Sequence, residues 1–272
     1  MSQEEVEQGA EDDVAMSFME HLEELRKRLI YSFLGILPGM SVAWWYKEEI
    51  LSLLVRPLAQ AWRRLGLGEV SLHFANPVDP FVSYLKIAAV VGALFSSPWI
   101  FWQIWAFISP GLYRRERRYA LPFVIASTLF FAGGAVFSYH FVFPLGFETL
   151  LGFAGMLPDQ SMRIQPTLMI GEYLSFALRM LVAFGVVFEV PVVVTFLAAI
   201  GVVNWKQLLR FGRWWLVIAA VLAGILTPPD VGSQMMMMVP LVGLYFLSVG
   251  LAYFIGPKPP KEGPASSAIE PS

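Results

Sequence analysis

The sequence contains no cysteine, and charged residues are scarce. Without cysteine, disulfide bridges, thiolate metal sites and cysteine nucleophiles are excluded. Asp, Glu, Lys and Arg together make up 15% of the 272 residues, whereas ordinary soluble domains carry roughly 25%. Hydrophobic residues make up 57% of the chain, which is more than a soluble protein of this size can bury. We therefore expect lipid to be the solvent for much of the surface.

Signatures of common catalytic sites are missing as well. No lysine follows a glycine, which excludes a phosphate-binding P-loop, and no serine occupies a GxSxG nucleophile elbow. None of the three histidines precedes a glutamate, so the HExxH zinc pattern is absent. We therefore expect no enzymatic activity, no cofactor, no metal site and no nucleic-acid partner. A chain of this kind must draw any work from a partner or from the membrane potential.

Six apolar stretches dominate the sequence. They run at about 29–46, 78–108, 119–140, 170–200, 214–227 and 233–255. The connecting segments alternate in charge, since one set holds twelve Lys and Arg residues and the other set, of nearly equal length, holds five. Because basic residues resist translocation, we expect the richer set in the cytoplasm, which places both termini of a six-span protein there.

The two ends of the chain differ in composition from the middle. Nine of the 21 acidic residues lie within residues 1–24, and the first Lys or Arg is Arg26. This pattern argues against a cleavable signal peptide, which begins with basic residues. We expect residues 1–15 to form a disordered acidic tail, 16–255 the membrane domain, and 256–272 a disordered Pro-rich tail.

The apolar stretches differ in length. The second and fourth would measure about 46 Å as straight helices, well beyond the ~30 Å hydrocarbon core. Each contains a proline, Pro98 or Pro191, at which a kink is expected. The fifth lies between Arg213 and Pro228, and its length of about 21 Å cannot cross an undisturbed bilayer. The predicted fold is an all-α polytopic membrane protein whose six transmembrane helices form a curved wall, with helices five and six short.

Two segments of the predicted cytoplasmic side combine acids with arginines. The sequence SFMEHLEELRKRL at 17–29 predicts an interfacial helix that continues into the first span, with Glu24 and Arg28 spaced for an i,i+4 ion pair. The sequence SPGLYRRERRY at 109–119 places Glu116 among four arginines. Both patterns are also typical of a stabilised surface helix and of a basic membrane anchor, and spacing alone leaves these interpretations open.

Three ionisable residues lie inside the apolar stretches, namely Lys86, Arg179 and Glu189. Charges in lipid are costly, so each predicts a polar pathway or a buried polar site. Lys86 and Arg179 can instead extend their side chains towards the outer interface, whereas the shorter Glu189 lies deeper. At the turn between the last two spans, TPPDVGSQ (227–234) forms a polar cluster that can also be an ordinary helix stop and start.

Taken together, these segments resemble the TatC family of the twin-arginine protein translocase. The resemblance extends over about residues 16–255 and rests on HLEELRKRL (21–29), RPL (56–58), NPVDPFVSYLK (76–86), SPWIFWQIWAFISPGLYRRERR (97–118), FSYHFVFPLGF (137–147), YLSFALRMLVAFGVVFEVP (173–191) and TPPDVGSQ (227–234). These motifs occur in order across all six spans. One residue departs from the family pattern, because Arg179 stands where an apolar or small residue is usual.

The resemblance implies a glove-like fold in the inner membrane and a receptor for signal peptides with two consecutive arginines on folded cargo. It implies the single-span partners TatA and TatB, further copies of this chain, and export driven by the proton-motive force. Glu24 and Glu116 match the carboxylates that read the arginines, and bidentate pairing suits guanidinium better than ammonium groups. The implied signal-peptide surface comprises Glu24, Glu116, Arg26, Phe107, Leu112 and Tyr113; the implied further sites are Pro57 in the first outer loop, Glu189 in a concave groove, and Thr227, Asp230 and Gln234 where a partner helix docks.

Two other classes of function are compatible with the residues alone. A proton-coupled solute transporter would use Glu189 as its proton carrier, although we find no internal sequence repeat of the kind from which many transporters are built. An intramembrane enzyme is the remaining class, and the missing nucleophile and metal patterns argue against it.

Overall fold

The computed structural model describes residues 18–68, 70–109, 120–156, 163–164, 166–226 and 231–256. Its helices are α1 (Phe18–Trp45), α2 (Lys47–Arg64), α3 (Asp79–Phe95), α4 (Ser97–Ile108), α5 (Ala120–Phe137), α6 (Phe143–Leu151), α7 (Ile170–Phe188), α8 (Val190–Ala199), α9 (Trp205–Leu226) and α10 (Val231–Ile255). A π-helix, Ser138–Val142, joins α5 to α6. Four two-residue strands complete the described elements: β1 (Leu72–His73), β2 (Gly155–Met156), β3 (Arg163–Ile164) and β4 (Leu168–Met169).

The strands form two small pairs at one end of the helices. β1 pairs in parallel with β4, with Leu72 opposite Leu168, and β2 pairs antiparallel with β3. The β1–β4 pair ties the segment after α2 to the residue before α7. We call this end, which also carries α2 and α6, the outer end. The opposite end, which carries Phe18 and Ile108, is called the inner end.

The helices confirm an all-α polytopic membrane protein. Four continuous helical runs are long and apolar enough to cross a bilayer: 120–151, 170–199, 205–226 and 234–255. Two further pairs pass the same test together but are bent, α1 with α2 by 78° and α3 with α4 by 60°. Counting each bent pair as one span gives up to six spans in the part of the chain that the structure describes, in agreement with the six apolar stretches.

The kink expected at Pro98 is present, because the 60° bend falls between Phe95 and Ser97, and Pro98 occupies the start of α4. Proline lacks the N–H that would continue the α3 hydrogen-bond ladder. At Pro191 the helix also breaks, between α7 and α8, but the two halves still form one run of 30 residues.

Helix α9, which forms the fifth span, is longer than the fifth apolar stretch predicts. It begins at Trp205 and has 22 residues, so the prediction of a helix confined to 214–227 is wrong for its start. Arg210 and Arg213 lie in its first turns, which leaves an uncharged part from residue 214 onward of about 20 Å. The last two spans, of 22 residues each, are shorter than the runs of 32 and 30 residues before them.

Helix α2 lies in a segment that sequence reasoning treated as an outer connection. Leu54, Leu58 and Trp62, spaced four residues apart, are all buried, and α2 packs against α6. This spacing is the signature of one apolar helical face. The proline at position 57 argued against a helix in this segment, because proline inside a helix is normally unfavourable.

The remaining helices pack side by side, and α4 also packs against α5. α1 packs against α3 and α4, α7 lies between α3 and α5, and α10 lies between α8 and α9. The α1–α3 crossing is close because both helices carry glycine there: a Cβ on Gly92 would lie 2.5 Å from the backbone nitrogen of Met40. Backbone-to-backbone contact of this kind is typical of helices that pack within membranes.

Candidate functional site

A chain of three polar side chains links α1 to α4 at the inner end. The Glu24 Oε1 atom accepts a hydrogen bond from Arg28 Nε at 2.6 Å, which confirms the expected i,i+4 pair. Arg28 Nη1 in turn donates to Gln103 Oε1 at 3.1 Å. The side chains of Arg28 and Glu24 are 28% and 19% exposed, whereas Gln103 is 3% exposed. Gln103 therefore anchors a carboxylate that still reaches the surface.

An aromatic contact joins the same two helices one turn nearer the start of α1. The His21 ring stacks on Phe107, with centroids 4.5 Å apart and planes 23° apart. Because His21 and Glu24 are three residues apart, they share one face of α1. The structure thus brings Glu24 and Phe107, which are 83 residues apart in the sequence, to one end of the α1–α4 interface.

Other predicted residues of this site have different positions. Arg26 is exposed and belongs to α1, and no contact in the described part of the chain ties it to Glu24. Leu112, Tyr113 and Glu116 lie outside the described residues. Sequence reasoning missed His21 and Gln103, although Gln103 is the single amide in the apolar helix SPWIFWQIWAFI.

The inner-end arrangement is suited to binding a cation. A carboxylate accepts hydrogen bonds at both oxygens, and the Arg28 bond occupies Oε1 of Glu24. Guanidinium groups pair with carboxylates through short, charge-assisted bonds. An incoming arginine can therefore share Glu24 with Arg28, or displace Arg28 while Gln103 retains it.

Glu189 lies at the junction of α7 and α8, beside a cavity of about 490 Å³. Aromatic residues and Ser127 line the cavity with it, including Phe101, Trp105, Phe123 and Phe196. Among the described residues, Glu189 Oε1 is buried and has no hydrogen-bond partner. Ser127 hydrogen-bonds the same carboxyl group, and the remaining unpaired oxygen makes this position a candidate site for a further polar partner or water.

Two backbone carbonyls of α2 next to Pro57 accept hydrogen bonds from tyrosines, and Pro57 frees one of them. A proline at position 57 has no N–H to bond the carbonyl of Leu53, four residues earlier. The Tyr139 hydroxyl donates to that carbonyl at 2.9 Å, and the Tyr173 hydroxyl donates to the next one, Leu54, at 2.6 Å. Tyr139 belongs to the π-helix and Tyr173 to α7. The proline therefore provides the acceptor that fastens α2 to the spans.

The polar cluster at the last turn is described only in part. Gln234 Nε2 donates to the carbonyl of Ala220 at 2.9 Å, which links α10 to α9. A Cβ on Gly224 would lie 3.2 Å from the same nitrogen, so the glycine leaves room for this amide. Thr227 and Asp230 lie outside the described residues.

Comparisons with known proteins identify the family of the chain. A family model described as TatC, Sec-independent protein translocase protein, matches residues 20–240. The chain is 40% identical to a Sec-independent protein translocase protein TatC from Koribacter versatilis, covering 89% of this chain and 87% of the relative. A TatC from Carboxydothermus hydrogenoformans is 38% identical, covering 91% and 97%.

Solved structures show the same likeness. A crystal structure of the twin-arginine translocase receptor TatC has 37% sequence identity and a TM-score of 0.71, covering 85% of this chain and 97% of that chain. A second crystal structure of this receptor, in the detergent DDM, gives a TM-score of 0.73 at the same identity and covers 99% of that chain.

Proposed function

Because the chain belongs to the TatC family of Sec-independent protein translocase proteins, we propose that it is the subunit that binds twin-arginine signal peptides of folded cargo. Membership makes the chain a multi-pass membrane component of protein transport, and the role proposed for it is not catalytic. The finer role rests on the inner-end carboxylate of Glu24, which is anchored through Arg28 and Gln103 yet partly exposed.

The inner end faces the cytoplasm in this proposal, with both termini on that side. The excess of Lys and Arg in the segments between spans at this end supports the orientation. A signal peptide emerging from the cytoplasm then meets Glu24 first, and Phe107 beside it offers an apolar surface. Glu116, Leu112, Tyr113 and Arg26 are proposed to complete the surface, on the strength of the family resemblance.

The test is photocrosslinking in inner membranes, with the photoreactive group on the peptide so that the receptor is unaltered. We expect the twin-arginine peptide to crosslink and its Lys-Lys variant to crosslink weakly. Loss of one charge-assisted bond of about 1.5–3 kcal/mol predicts at least tenfold weaker labelling of Glu24→Ala. Glu23→Ala is the matched control, because Glu23 is an exposed neighbour that forms no ion pair within the described residues. Equal labelling of Glu24→Ala and Glu23→Ala would refute the proposal.

Assembly with TatA, TatB and further copies of this chain is the second part of the proposal. Val231, Met235 and Val239 of α10 are 73%, 57% and 71% exposed, and they offer an apolar face beside Gln234 for a single-span helix. Thr227 and Asp230 are proposed to contribute from the adjoining turn. In the same membranes, Gln234→Leu should lower co-purification of a single-span partner while peptide labelling persists. Unchanged co-purification would remove Gln234 from the docking site.

Glu189 and Pro57 are proposed to act in transport and not in peptide recognition. Glu189 supplies the only carboxylate among the described residues that line its cavity, and the proton-motive force is the proposed source of energy. Pro57 acts through the outer helix α2, because it frees the Leu53 carbonyl that Tyr139 bonds.

A further inference from the structure

Lys86 and Arg179 occupy one exposed strip in the outer half of the spans. Lys86 lies on α3 and Arg179 on α7, two helices that pack against each other and run in the same direction from the outer end. Both side chains are exposed. Two cations at this depth require a counter-charge or access to the interface.

A hydrogen-bonded serine holds the first cation in place. Lys86 Nζ donates to Ser175 Oγ at 2.9 Å, and Ser175 Oγ donates to the carbonyl of Gly171 at 2.6 Å. Because an ammonium group has three donors, two of them remain available after the bond to Ser175. Arg179 is four residues after Ser175, so it lies on the same face of α7 one turn further in.

No carboxylate neutralises this pair in the part of the chain that the structure describes. The two ion pairs found there are Glu24–Arg28 and Arg64–Glu148. Glu172 belongs to the same strip one turn nearer the outer end, and it lies more than 4.0 Å from both cations. The strip therefore keeps a net positive charge that is available to an outside anion.

The depth of the strip matches the lipid headgroup boundary. The α7–α8 run has 30 residues, or about 45 Å, against a ~30 Å hydrocarbon core, so about 7 Å of helix extends into each headgroup layer. Ser175 lies about 7.5 Å from the start of α7, which is at this boundary. Arg179 lies about 6 Å deeper, and its long side chain reaches back to the boundary.

Further from the outer end than the two cations, the strip becomes apolar. Val182 and Val186 continue it on α7, and Leu85 flanks it on α3; they are 37%, 58% and 40% exposed. A polar head with an extended apolar continuation has the chemistry of one phospholipid. We propose that Lys86, positioned by Ser175, and Arg179 bind the phosphate of an anionic phospholipid in the outer leaflet, with an acyl chain along Val182 and Val186.

Native mass spectrometry tests this site directly. The intact protein in a mild detergent is titrated with phosphatidylglycerol or with phosphatidylcholine. We expect one tightly held phosphatidylglycerol on the wild type, and at least tenfold weaker binding of it by the variant that combines Lys86→Gln with Arg179→Gln. Arg179→Lys should retain most of the binding, because a charge remains at the same depth. Glu172→Gln should strengthen binding, because it removes the repelling carboxylate on the strip.

Arg63→Gln provides the matched control, because it removes one exposed cation from the same end of the molecule away from Ser175. Equal retention of the two lipids, or unchanged phosphatidylglycerol binding by the combined variant, overturns the proposal. So does a combined variant that binds phosphatidylglycerol normally but loses a single-span partner, since the cations would then serve a protein. A gel-filtration profile that matches the wild type ensures that weaker binding does not reflect unfolding.

Discussion

The outer and inner ends of the molecule are held together by different kinds of contact. At the outer end, Leu58, Phe143 and Leu174 are at most 1% exposed, and tyrosine hydroxyls bond the backbone of α2. At the inner end, a partly exposed ion pair within α1 contacts α4 through Gln103, and the His21 ring stacks on Phe107. Buried apolar contacts give stability, whereas exposed ion pairs contribute little to it. The outer end is therefore built for rigidity, and the inner end retains charges that an incoming ligand can use.

The largest expected effect comes from disrupting the buried apolar contacts of the outer end. Leu58→Ala should lower the free energy of unfolding by about 2–5 kcal/mol, because it leaves a cavity between α2 and α6. Leu53→Ala on the same helix is the control, since Leu53 is 44% exposed, and it should cost less than about 1 kcal/mol. Chemical unfolding in detergent micelles measures both. Equal losses would mean that α2 does not pack as a core element.

An intermediate effect tests the hydroxyl bond to α2. Tyr139→Phe should cost about 1–3 kcal/mol, because the carbonyl of Leu53 then loses the donor that Pro57 cannot supply. In a Pro57→Ala background the new N–H can bond that carbonyl, so the same substitution should cost less. The double-mutant cycle measured by unfolding gives the coupling. Additive costs would show that the proline and the tyrosine act independently.

The smallest expected effect concerns the ion pair at the inner end. Glu24→Gln should change the free energy of unfolding by only about 0.5 kcal/mol, because the pair with Arg28 is a partly exposed i,i+4 contact. The same unfolding assay applies, with Glu23→Gln as its control. A loss of several kcal/mol would instead make the pair a structural element of the inner end.

Local patterns in the sequence predicted local structure well. The i,i+4 spacing of Glu24 and Arg28 predicted an ion pair, and Pro98 predicted a bend; the structure contains both. Both depend only on the geometry of one helix and on the missing N–H of proline. The six apolar stretches likewise predicted up to six spans, because hydrophobicity largely determines which segments enter lipid, whereas α2 and α6 lie outside those stretches.

Contacts between distant segments could not be read from the sequence. Gln103 reaches Arg28 across 75 residues and Tyr173 reaches Leu54 across 119, so each depends on how the helices pack. Helix α2 was missed because a charged, proline-containing segment is typical of a loop when its buried face has no known partner. The roles of Glu116, Leu112, Tyr113, Thr227 and Asp230 remain predictions, because these residues lie outside the described part of the chain.

The close contact of Gly39 with Gly92 is a point about which α1 can tilt. The helix has 28 residues, with Pro38 inside it, and measures about 42 Å. A Cβ on Gly39 would lie 2.6 Å from the Gly92 carbonyl oxygen, and Pro38 removes one hydrogen bond at the same level, so this crossing is the natural pivot of α1. Glu24 lies about 22 Å from it along the helix. A tilt of α1 by about 5° would therefore move the Glu24 carboxylate about 2 Å relative to α4. A shift of this size is enough to break a hydrogen bond between the two helices. A movement of this size would make the proposed binding of arginine by Glu24 sensitive to bilayer thickness, because thickness affects helix tilt.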